Sequence, residues 1–89
     1  MNVSDMTKRA AENLAATAGR WNDAMKTGDN DGARKLNDIY VEKSALLRLI
    51  GFAVVTESDE DGYPVAVKVD CLNDSAAKCE QVEVRGLFA

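Results

Sequence analysis

The sequence predicts an α+β domain in which an antiparallel helical hairpin packs on a three-stranded antiparallel β-meander, in the order ααβββ. Three observations carry the prediction. Apolar residues recur at every third or fourth position from Val3 to Met25, and a second stripe runs from Ala33 to Ile50, which is the repeat of an amphipathic helix. After Gly51 the period switches to alternation, the repeat of a half-buried strand. Between two alternating segments lies Asp61-Gly62, the strongest short hairpin pattern.

The first helix is expected from about residue 4 to about residue 27, on the stripe Val3, Met6, Ala10, Leu14, Ala18, Trp21 and Met25. Ser4 or Asp5 can cap its start, and Gly28 supplies the residue type that ends helices. Ala11, Ala15 and Ala18 make one face small enough for close approach of a neighbour. That neighbour is the second helix, the sheet, or another copy of the chain. Trp21 falls on the stripe, where core packing is the simpler role and an exposed binding anchor the alternative.

The second helix is expected over about residues 31–50, with Asp29, Asn30 and Asp31 offering side-chain oxygens to its free amides. Its stripe is Ala33, Leu36, Tyr40, Leu47 and Ile50, widened by Ile39, Leu46 and Leu49, and Gly51 stops it. So short a link forces the two helices antiparallel. Gly28-Asp29 followed by Ala33 is similar to the helix junction of tetratricopeptide repeats. The likeness is confined to that turn, for no repeat of about 34 residues occurs. Arg34, Lys35, Lys43 and Arg48, interspersed with Asp38 and Glu42, read as an ordinary solvated helix face.

Strands are expected over residues 52–58, 63–71 and 80–88, with residues 73–78 as a connection. A two-residue Asp61-Gly62 turn pairs Val54 with Val69 and Thr56 with Val67, placing Phe52 and Val54 on the face of Val65, Val67, Val69 and Cys71. A three-residue loop with a bulge at Gly62 instead turns Ala53 and Val55 to that face. The expected core is Leu14, Trp21, Leu36, Tyr40, Leu47, Val54, Val67 and Val84.

At 89 residues the chain reads as a single domain spanning 1–89. So short a chain buries only about two-thirds of its unfolded surface, which makes self-association attractive. Its start lacks the layout of a signal peptide and no apolar run approaches a membrane span, so the cytoplasm is the expected compartment. The net charge of −4 is uneven: residues 1–50 hold eight Lys and Arg against seven Asp and Glu, residues 51–89 three against eight. A basic footprint for direct nucleic-acid binding is missing, whereas a basic protein surface is attracted.

Histidine is absent, which removes the usual general base, the Ser-His-Asp and Cys-His systems, and His-containing metal sites. No phosphate-binding glycine loop or nucleophile elbow occurs. Glu57-Ser58-Asp59-Glu60-Asp61-Gly62 resembles the start of a calcium loop. It departs from that pattern at Glu57, where Asp is needed, and at Lys68, where a bidentate Glu is needed. Cys71 and Cys79 are too few for a structural zinc site. The strand register sends them to different faces, so free thiols are expected. No enzymatic activity, cofactor or metal is expected.

What remains is a non-catalytic protein-protein interaction module. Its expected contact set is Glu57, Asp59, Glu60, Asp61, Asp70, Asp74 and Glu83 for charge, with Val55 and Tyr63 for short-range affinity. A chain of this size, acidity and architecture is similar in kind to the small inhibitors that phages deploy against nucleic-acid-binding host defences, anti-CRISPR proteins among them; no motif enters that comparison. The resemblance implies an acidic inhibitor of a basic, nucleic-acid-binding host complex. The alternatives are a structural or regulatory homodimer built on the Ala-rich first helix, and a carboxylate-based enzyme or metal binder.

Overall fold

A computed structural model describes residues 3–71 and 81–86. Two helices, α1 (Val3–Lys26) and α2 (Asn30–Leu49), precede three strands, β1 (Phe52–Ser58), β2 (Pro64–Cys71) and β3 (Val82–Arg85). Ser4 and Asp5 lie inside the first turn of α1 and not ahead of it, where Asp5 still complements the helix dipole. Asp29 caps α2: its carboxylate accepts from the Gly32 amide at 2.9 Å. Gly32 leaves room for this, since a Cβ there would meet the Asp29 carboxylate. Leu49 ends α2, and Gly51 at φ +98° reverses the chain into β1.

The strands pair antiparallel in the order β1-β2-β3, leaving β1 and β3 as edges. Val54 faces Val69 and Thr56 faces Val67, the register of a two-residue turn. The loop nevertheless closes over three residues. The Asp59 amide donates to the Tyr63 carbonyl at 2.9 Å, and Gly62 sits at φ +88°, a conformation only glycine adopts without strain. Pairing then steps from Ser58 with Pro64 to Glu57 with Ala66, so Val65 is an extra residue on β2. This bulge cancels the one-residue offset of the loop and returns Phe52 and Val54 to the core face. β3 is shorter than expected: Gln81 and Gly86 lie outside the strand, and residues 80, 87 and 88 lie outside the described residues, as do the expected connection 73–78 and Cys79.

The core lies between α1 and the sheet. Ala11, Leu14, Ala15 and Ala18 pack with Phe52, Val54, Val67 and Val69. The Ala-rich face of α1 is therefore covered by the chain itself. Of the three neighbours considered for it, the sheet takes this face. Leu14, Val54 and Val67 are buried as expected, but Trp21, Leu36, Tyr40, Leu47 and Val84 are only partly so. The alanines hold α1 so close to the sheet that the larger side chains are displaced to the margins. Across the hairpin, Lys43 of α2 donates to the Asn13 side chain of α1. Buried Asn22 donates to the Pro64 carbonyl at 3.0 Å, fixing α1 to the start of β2.

Candidate protein interface

The β1–β2 loop is held by one of its own acids. The Asp59 carboxylate accepts from the Asp61 and Tyr63 amides at 2.9 and 3.0 Å, an Asx-type turn in which the side chain imitates a backbone carbonyl. Asp59 is thus spent on the fold, while Glu60 and Asp61 are exposed at the tip. Tyr63 packs on Trp21 with ring centroids 5.7 Å apart and planes tilted by 57°. It joins the loop to the helix and is half-buried there.

The face of the sheet turned away from the helices carries a charge network. Lys68 reaches Glu57 at 2.6 Å and Glu83 at 3.7 Å, and Arg85 reaches Glu57 at 2.9 Å and Glu83 at 2.8 Å. The hydrogen bond from Lys68, with the charges of Lys68 and Arg85, holds the Glu57 carboxyl below its ordinary value. Its bond to Glu57 raises Lys68, and the bond to Glu83 raises Arg85. A general acid needs the opposite shift, toward neutrality at working pH. Two anions and two cations cancel, so Glu57 and Glu83 add no net charge to this face. Asp70 stands opposite Ala53 on the same face, and Asp74 lies outside the described residues.

Uncovered apolar surface gathers elsewhere. Val41, Leu46, Leu49 and Ile50 on α2 are 58%, 56%, 82% and 64% exposed, and Val55 on the adjoining β1 is 53% exposed. No other large apolar side chain among the described residues exceeds half exposure. Two grooves flank this part of α2. On the α1 side Leu14, Leu46, Leu47 and Ile50 line one, with Arg9 and Lys43 at its rim. On the β1 side Tyr40, Val41, Ala45, Leu49, Val54 and Thr56 line the other, of about 500 Å³. Burial of Tyr40 raises its hydroxyl above the ordinary tyrosine value, against the opposing effect of its hydrogen bond with Thr56.

Of the expected contact residues, Val55 is exposed on the outer face of the sheet, opposite Lys68, and Glu60 and Asp61 are exposed at the loop; none of them lines either groove. Val41, Leu46, Leu49 and Ile50 were missed, the last three because they read as a buried stripe. The sequence carried a warning in Ala45-Leu46-Leu47-Arg48-Leu49-Ile50, which is apolar nearly all round the helix. A helix at the side of a two-layer domain buries one stripe, and an end that is apolar all round has surface to spare. No family model, curated protein or solved structure matches the chain.

Proposed function

We propose that this chain is a non-catalytic protein-protein interaction module that binds through the second half of α2 and the adjoining edge strand β1. The observation that carries the reading is the row of Val41, Ala45 and Leu49 along the groove between α2 and β1, with Val41 and Leu49 more than half exposed. Scattered apolar residues need no explanation on a protein surface, but apolar residues that line one open groove mark an interaction site. The acids support the same reading. Asp29 and Asp59 serve as cap and turn, and Glu57 and Glu83 as ion-pair partners, so none of them is set up for proton transfer. The net charge of −4 and the outward Glu60 and Asp61 favour a basic partner, such as a nucleic-acid-binding complex, by speeding its approach.

Leu49→Glu tests the surface, because a side chain this exposed tolerates charge without cost to the fold. Capture from a lysate of the source cell is compared for parent and variant, with thermal unfolding as the control. The reading expects equal unfolding temperatures and loss of the proteins that the parent retains. Retention of the same proteins in the same amounts by the variant would sink it.

A further inference from the structure

We infer that the edge of β1 and the side of α2 next to it are completed by a second copy of this chain, docked by antiparallel pairing of β1 with its own counterpart. The inference rests on the proposed function and names the partner. Of the two sheet edges, β3 is four residues long and carries the exposed charges Glu83 and Arg85, devices that keep strand edges unpaired. β1 has neither defence. Its seven residues, Phe52-Ala53-Val54-Val55-Thr56-Glu57-Ser58, include no Pro or Lys. The one charge, Glu57, is already neutralised by Lys68 and Arg85.

The strand is complementary to itself. A two-fold axis through Val55 sets Val55 against its counterpart, Val54 against Thr56 of the second copy, Ala53 against Glu57 and Phe52 against Ser58. No like charges meet. Residues directly opposite in an antiparallel pair share a face, so the core face of one sheet runs into that of the other and makes six continuous strands. The same axis brings the two α2 helices together, antiparallel, on the β1 side, where Val41, Ala45 and Leu49 recur every fourth residue. Ala45 at the middle permits close approach, and Val41 and Leu49 lie on either side.

The contact has the size of a weak dimer. Seven residues at about 3.3 Å each give roughly 23 Å of strand, and a helix roughly 10 Å across lies above it. With the sheet layer about 10 Å deep as well, the outline is on the order of 500 Å² per copy, below the roughly 800 Å² of a standard interface and in the range of weak ones. The chain has reason to use it. Among the described residues its buried apolar side chains are alanines and valines apart from Leu14 and Phe52, a thin core that a second copy extends.

Sedimentation equilibrium from low micromolar to millimolar concentration, on parent and variants, tests the inference. The parent mass is expected to rise from 9.6 kDa toward twice that value. Val55→Glu is the decisive change, because it gives Lys68 a partner directly across β2 yet sets two carboxylates face to face on the two-fold axis. Its thermal unfolding at low concentration should match the parent, while dimerisation weakens by about tenfold or more. Mixing Val55→Glu with Val55→Lys should restore a dimer containing one chain of each. A parent that stays monomeric at millimolar concentration, a Val55→Glu chain that dimerises like the parent, or a mixture that stays monomeric would each overturn the inference. If it falls while Leu49→Glu still loses its captured proteins, the interaction module stands with a different partner; if both fail, the surface itself is misread.

Discussion

Glu57 and Arg85 stand on either side of Ala66 in the sheet, and their carboxylate and guanidinium meet 2.9 Å apart. Ala66 lies on the face turned away from the helices, yet none of its surface is exposed. The ion pair closes over its methyl group, so the outer face is covered by side-chain stems where no second layer exists. Lys68 and Glu83 complete the set and link all three strands.

This network predicts a pH dependence with a definite sign. The folded Glu57 carboxyl sits below its ordinary value of 4.5. Its contribution is therefore complete above that value and lost as pH falls through the folded one. Lys68 and Arg85 are raised, so their contributions hold up to the ordinary lysine value of 10.5 and fade above it. Thermal unfolding of the parent and Glu57→Gln should differ by a constant amount from about pH 5 to about pH 10 and converge at lower pH. Curves that stay separate in acid would show that Glu57 acts by shape alone.

Core substitutions should separate the centre from the margin. Leu14 is fully buried between α1 and the sheet, and Leu47 only partly. Leu14→Ala is expected to cost about 2–5 kcal/mol in urea unfolding. Leu47→Ala is expected to cost about 1–2 kcal/mol, because part of its surface is already in water. Equal losses would mean that the alanine face does not set the packing distance.

In the loop, the three acids are expected to behave differently. Asp59→Ala removes the acceptor of two amide hydrogen bonds and should cost about 1 kcal/mol. Glu60→Gln and Asp61→Asn touch no turn bond and should stay within about 0.5 kcal/mol of the parent. Chemical unfolding of the three single variants checks this, and a neutral Asp59→Ala would remove the Asx turn from the account.

Asn22 supplies a fourth test. Its Nδ2 donates to the Pro64 carbonyl while its Oδ1 is buried without a hydrogen-bond partner among the described residues. Asn22→Asp replaces the donor with a carboxylate facing a carbonyl. It should cost about 1–3 kcal/mol at neutral pH and recover in acid, where the protonated side chain donates again. The difference in unfolding temperature from the parent, measured at about pH 7 and about pH 4, reads the effect. A difference independent of pH would mean that Asn22 acts only by filling space.

Local chemistry determined much of this protein. The helix ends near Gly28 and Gly51, the Asp29 cap and the switch to alternation follow from residue types and spacing, since caps, turns and side-chain periods act over a few bonds. The tertiary structure alone decided how the layers divide the apolar residues. Ala11, Ala15 and Ala18 of α1 pack against the sheet with Leu14, while Leu46, Leu49 and Ile50 of the second helix and its end stay in solvent. It also decided which acids keep a free charge. Glu57 and Glu83 look like neighbours of Glu60 and Asp61 in the sequence, but strand register sets them beside Lys68 and Arg85. The extra residue at Val65 belongs to the same class. Loop length and bulge each shift the register by one, and only their combination, fixed by burial of Phe52 and Val54, gives the observed faces. Such choices depend on distances between segments far apart in the chain, and no single segment carries them.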